Sequence, residues 1–122
     1  MSEPKILLPL QWARTNESGI SNIIRGPKAE GLIAGVTLEP YTLFPDDRGY
    51  FLEIARLGQG LSAPFPLEST QISAALSYSG TIKAFHYHRH QTDFWVPVDG
   101  IFQVGLADLR EDSPTFDVRN TI

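Results

Sequence analysis

All three histidines of the chain fall within five residues of one another, in Gly80-Thr-Ile-Lys83-Ala-Phe-His86-Tyr-His88-Arg-His90-Gln-Thr-Asp93-Phe-Trp-Val-Pro-Val-Asp-Gly100. His86 and His88 sit two apart in a run of β-formers, so on a strand both imidazoles leave the same face. Asp93 follows after a short polar segment and precedes the apolar run Phe94-Trp95-Val96, a pattern that predicts a turn into a second strand with the carboxylate beside the histidine pair. Two chemistries use such groups. An imidazole near neutral pKa removes a carbon-bound proton next to a ketone, and a cation such as Lys83 stabilises the enolate oxygen. Alternatively, two imidazoles and a carboxylate hold one divalent iron, manganese, nickel or zinc ion. His90 and Arg89 read most simply as solvated loop residues.

The elements expected to position these groups are β. Residues 1–30 are polar, broken by Gly and Pro, and lack a sustained helical or strand period. They read as an N-terminal extension with at most one short helix. From residue 31 the pattern changes to short β-type segments at about 33–39, 50–56, 70–77, 81–88, 93–98 and 101–109, the spacing of a sandwich or barrel. Phe44-Pro-Asp-Asp-Arg-Gly49 has the composition of a tight turn, and Asp99-Gly100 is a hairpin signal. Phe102, Val104 and Leu106 alternate with Gln103, Gly105 and Ala107, separating an apolar face from a small or polar one. Leu109 to Thr115 reads as a polar turn, and Phe116 to Ile122 as the start of a further strand. The expected fold is therefore an all-β antiparallel sandwich over residues 31–122 whose C-terminal end is incomplete, either because the chain is a fragment or because the open edge is supplied by a second copy.

Composition removes several function classes. The 122 residues carry a formal charge of -4 with a pI near 5.2, which gives no basic field for a nucleic-acid backbone. There is no cysteine, hence no disulfide, thiolate metal site or cysteine nucleophile, in keeping with a reducing cytoplasmic setting. The apolar run Ile6-Leu7-Leu8, cut by Pro9, is too short for a signal-peptide core or a membrane span. No membrane partner is expected.

Taken together, Phe44-Pro-Asp-Asp-Arg-Gly-Tyr-Phe-Leu-Glu53, Gln71, Gly80-Thr-Ile-Lys-Ala-Phe-His86-Tyr, Gly100 and Asp108-Leu-Arg-Glu-Asp-Ser-Pro-Thr-Phe116 resemble the dTDP-4-dehydrorhamnose 3,5-epimerase family of the cupin superfamily. The resemblance covers about residues 31–118. It implies a cupin-like jelly roll, a homodimer, a sugar-nucleotide substrate and no required cofactor. It places His86 at the catalytic base, and Arg48, Glu53 and Gln71 at contacts to the thymidine diphosphate group, partly across the dimer. Lys83 stands where the family usually has an arginine, keeping the charge but losing the planar fork. Ser73 replaces an asparagine, His88 a glutamine, and Asp93 a lysine that helps to hold the keto oxygen. The family's general-acid tyrosine and the aspartate paired with its base have no match here. The wider cupin superfamily implies an alternative, in which His86, His88 and Asp93 ligate a metal. A third reading is a noncatalytic module that binds a sugar or nucleotide.

Overall fold

The computed structural model describes residues 21–122. It resolves into two compact units, one formed by Thr42–Val96 and the other by Pro97–Ile122 with the described residues up to Tyr41. Regular structure is β apart from one 3-10 turn at Gly60–Ser62, and the described residues contain no α-helix. The all-β expectation holds, in keeping with a cupin-like fold.

In the unit that contains the C-terminal residues, β1 (Asn22–Ile23), β4 (Gly105–Ala107) and β5 (Arg119–Thr121) form a sheet of order β1-β5-β4. The strand begun by Phe116 to Ile122 is thus the central one. β5 runs parallel to β1, with Asn22 opposite Asn120, and antiparallel to β4, with Leu106 opposite Asn120. Reciprocal bonds between the Val104 and Ile122 backbones (2.8 and 2.9 Å) lengthen the β4–β5 ladder beyond its formal ends. At the other end Asp108 N donates to Val118 O and Asp117 N to Asp108 O. Asp117 there takes φ +63°, a left-handed conformation that Asp tolerates better than most side chains.

The core of this unit is small and partly polar. Ile24 and Ile33 are its buried hydrophobic residues, and Asn120 at the centre of β5 is buried beside them. A buried amide must find partners. Asn120 does so by accepting from Ile33 N (2.9 Å) and donating to Gly31 O (2.9 Å), which fastens the 31–33 segment to the sheet. That fastening explains why 33–39 is not the expected strand. The Ile33 amide is taken by Asn120, the Ala34 amide by Thr115 Oγ1 (2.9 Å), and the chain turns through a Val36 N to Ile33 O bond with Gly35 at φ +90°. Amides spent on side chains are lost to a ladder.

In the 42–96 unit, β2 (Leu43–Asp46) and β3 (Gly49–Leu52) form an antiparallel hairpin with Phe44 opposite Phe51 and Asp46 opposite Gly49. The Phe44 and Phe51 rings lie 6.3 Å apart, within the range of a favourable aromatic pair. The tight turn read from Phe44–Gly49 is present, with Asp47 and Arg48 as its loop. The segments 70–77, 81–88 and 93–98, by contrast, join no ladder among the described residues, nor does Asp99-Gly100 close a hairpin; the 101–109 segment pairs with β5 instead. β-propensity expresses fit to a pleated, half-buried surface, so it makes a strand only where an edge and a core face meet it. Ile72, Leu76 and Ile82 in these segments are all at least 80% exposed and have no such face.

Candidate functional site

Every residue that the sequence nominates for chemistry lies in the 42–96 unit. The β2–β3 hairpin carries the first group. Register forces Asp46 and Gly49 opposite one another, so the two-residue loop between them presents Arg48 at the tip. Asp46 accepts from the Arg48 backbone N (2.8 Å) and, through its other oxygen, from Arg48 Nη2 (2.7 Å). These bonds, the side-chain one first, hold the Asp46 carboxyl below its ordinary value. The loop thereby fixes where a guanidinium stands while leaving most of it in solvent. Asp46, Arg48, Gly49, Tyr50 and Phe51 line an open depression of about 290 Å³. A cation beside aromatic side chains suits a nucleoside diphosphate, with charge for phosphate and ring for base.

Glu53, just past β3, is held by Arg56, whose Nε and Nη2 lie 2.9 and 2.7 Å from Glu53 Oε1. Both side chains are at least half exposed, so the pair orients Glu53 more than it stabilises the fold. Gln71 donates from Nε2 to Ser73 Oγ (3.0 Å), joining two positions that the resemblance had marked separately. Glu53 and Gln71 are outside the lining of the hairpin depression.

The histidine segment is the third group. Because 81–88 is not a strand, His86 and His88 are not fixed on one face by a ladder. The structure instead joins His88 to Asp93, with Nε2 3.3 Å from Oδ2. Gln91, between them in sequence, donates from Nε2 to Asp93 Oδ1 (2.9 Å) and lies 3.4 Å from His88 Nε2. The carboxylate expected beside the histidine pair thus lies beside His88, while the second strand expected after it is not formed among the described residues. His86 stands apart as an exposed imidazole, and no hydrogen bond or ion pair joins it to Lys83, His88 or Asp93. Among the described residues no three His, Cys, Asp or Glu side chains converge as a metal-binding set. The proposed triad of ligands is a dyad here.

Sequence reading missed Gln91, whose signal was its position inside the polar 89–93 segment. It also read 109–115 as a simple polar turn, whereas Asp108 at its start organises a buried cluster in the other unit. Asp108 accepts from Arg110 N (3.1 Å), Nε (2.8 Å) and Nη2 (2.9 Å), from Ser113 Oγ (2.6 Å) and from Thr115 Oγ1 (2.8 Å). Burial by itself would raise the Asp108 pKa, but the bonds from Arg110, Ser113 and Thr115 outweigh it and hold the carboxyl well below the usual carboxylate range. Arg110 Nη2 also donates to Ala34 O (2.7 Å), tying the loop to the 31–36 turn. With every acceptor lone pair engaged by the protein, this cluster is a structural clamp.

Residues 30–122 match the family described as dTDP-4-dehydrorhamnose 3,5-epimerase. The chain belongs to that family. It is also 45% identical over 84 residues to the spore coat polysaccharide biosynthesis protein SpsL of Bacillus subtilis (strain 168), an alignment covering 69% of this chain and 53% of that protein. The chain thus spans about half the length of this relative. No solved structure matches it. Among the described residues no helix is long and apolar enough to cross a membrane.

Proposed function

We propose that the chain is an isomerase of the epimerase type, acting on a nucleotide-linked 4-keto-6-deoxy sugar by removing and returning protons next to the ketone. The observation that carries this reading is the family match over residues 30–122, to which we add His86 as the base, the role that the resemblance of its motif implies. His86 is exposed and unengaged among the described residues, so its lone pair is available to a carbon-bound proton. Lys83, three residues earlier, supplies the cation for the enolate oxygen. Arg48, in the depression beside Tyr50 and Phe51, takes the diphosphate, with Glu53 and Gln71 as further nucleotide-side contacts. The name of the SpsL relative, a spore coat polysaccharide biosynthesis protein, is in keeping with a sugar-nucleotide substrate. The working form is a cytoplasmic homodimer that needs no cofactor.

The test is deuterium uptake from solvent at the carbons flanking the ketone of a dTDP-linked 4-keto-6-deoxyhexose, followed by NMR. A positioned general base contributes about 10²–10⁴-fold. His86→Asn should slow uptake by that range, and an unchanged rate would refute the assignment. Tight binding of the sugar nucleotide without any uptake in the wild type would instead favour the noncatalytic module. A second reading rests on the His88–Asp93 contact, which supplies two of the three side chains a metal-dependent cupin would use. Divalent-ion titration of wild type and Asp93→Asn separates it, because only a metal site through Asp93 loses affinity in the variant.

A further inference from the structure

Glu53 stands one residue past β3, so the hairpin fixes its backbone but not the direction of its carboxylate. A long, half-exposed side chain samples many rotamers, and a ligand that needs one of them must order it on binding. Here the ordering is done in advance. Arg56 Nε donates to Glu53 Oε1 at 2.9 Å, and Arg56 Nη2 lies 2.7 Å from the same oxygen. We infer that Arg56 is a positioning residue for nucleotide recognition. By holding Oε1 it presents Oε2 as a fixed acceptor for a hydrogen-bond donor of the nucleoside, either the ribose 3′-hydroxyl or the imide N–H of the base. This rests on the reading of Glu53 as a nucleotide-side contact given above.

The geometry of the pair sets what it can recognise. A guanidinium that spreads two nitrogens over two carboxylate oxygens occupies both of them. In this pair both nitrogens fall on Oε1, so the acceptor capacity for a ligand is that of Oε2. A carboxylate only accepts, so its partner must be a donor, which a phosphate oxygen is not. Charge matters as well. A lone carboxylate would repel a diphosphate bound nearby, and the guanidinium beside it offsets that repulsion.

Arg56 is itself anchored. Its carbonyl accepts from Gln59 N (3.0 Å), and the buried Ser62 hydroxyl lies 2.8 Å from the same carbonyl and 2.7 Å from Gln59 O. Ser62 belongs to the 3-10 turn Gly60–Ser62, which the chain enters through Gly58 at φ +83° and Gly60 at φ +58°. A buried hydroxyl thus holds the Arg56 backbone while its side chain reaches back three residues to Glu53. An exposed pair of this kind adds little to stability, so its consequence is the direction it gives the carboxylate.

The test is a double-mutant cycle of dTDP binding to the full chain, measured by calorimetry in wild type, Arg56→Ala, Glu53→Ala and the double variant. The bonds to the Arg56 carbonyl do not use its side chain, so Arg56→Ala keeps the turn. Loss of a hydrogen bond to a charged group should weaken dTDP binding by roughly 10- to 100-fold in Glu53→Ala. In Arg56→Ala the ligand must order Glu53 again, which should weaken binding by about three- to tenfold. With Glu53 already removed nothing is left to position, and Arg56→Ala should then change affinity by less than about twofold. An equal loss in both backgrounds, the result if Arg56 acted on the diphosphate directly or only on the fold, would overturn the inference. The 3′-deoxy and N3-methyl analogues of dTDP locate the donor. The analogue that lacks it should bind wild type as weakly as dTDP binds Glu53→Ala and should be indifferent to Arg56→Ala, whereas sensitivity of both analogues to Arg56→Ala would overturn the inference. Failure of dTDP to bind wild type would refute the nucleotide reading and this inference with it. Binding unaffected by Glu53→Ala, or weakened by it and not by Arg56→Ala, would refute this inference alone.

Discussion

Replacing Asp108 by Asn tests whether the shape of the clamp or its charge holds the C-terminal sheet and the 31–36 turn together. The Asp108 side chain is 1% exposed, while its partner Arg110 is 42% exposed. In the variant, Oδ1 can still accept from Arg110 Nε, but the new amide nitrogen replaces Oδ2 and faces Arg110 Nη2, donor against donor. The Ser113 and Thr115 hydroxyls lose the same acceptor. Removing one member of a fully buried pair costs about 3–5 kcal/mol. Arg110 reaches solvent and recovers part of its hydration, so about 2–3 kcal/mol is expected. With a urea slope of about 1.5 kcal/mol/M, the midpoint should fall by roughly 1.3–2 M.

The same variant reads out the charge. The folded-state pKa of Asp108 lies below the unfolded value, so the unfolded chain binds more protons in acid and stability rises with pH through that window. The contribution is fully present above the unfolded value of about 4 and is lost as pH falls below it toward the folded value. Wild type should therefore lose stability between pH 5 and pH 3 more steeply than Asp108→Asn. A midpoint unchanged to within about 0.3 M, with the same acid slope in both proteins, would refute the reasoning.

Asn120→Ala strips the buried amide from Ile33 N and Gly31 O and should cost about 2 kcal/mol, with hydrogen exchange at the Ile33 amide accelerated beyond that at the β4–β5 ladder. Gly31→Ala places a Cβ 2.9 Å from Asn22 Nδ2 at φ +81°, so thermal unfolding should show a loss of about 1–2 kcal/mol, relieved in part by Asn22→Ala in the same chain. Sedimentation at micromolar concentration should give a dimer, since large apolar side chains at Ile72, Leu76 and Ile82 lie open to solvent in one copy; a stable monomer would count against the subunit-spanning nucleotide site.

Much of the candidate site was legible because its cues are short in range. The Asp-Arg-Gly turn at residues 47–49 follows from local backbone chemistry, and the structure places it in a hairpin loop with Arg48 at the tip. The ordered motifs from Phe44 to Phe116 established the family without any coordinate, because type and spacing survive independently of packing. The β character of the described residues was equally plain from the run of β-formers and turn residues.

What the sequence left open depends on partners distant along the chain. A segment such as 33–39 looks like a strand until Asn120 and Thr115, more than eighty residues away, claim its amides. The last residues look like the edge of something unfinished, yet β5 lies between β1 and β4 because a strand's place in a sheet is set by which edges reach it. Period-two spacing put His86 beside His88 only on the condition of a ladder, and without one it is His88, not His86, that Gln91 and Asp93 approach. Sequence determined which chemical groups this protein has and in what order; tertiary structure decided which of them meet, since hydrogen bonds and apolar contacts reward proximity in space, and proximity along the chain only when the backbone turns to provide it.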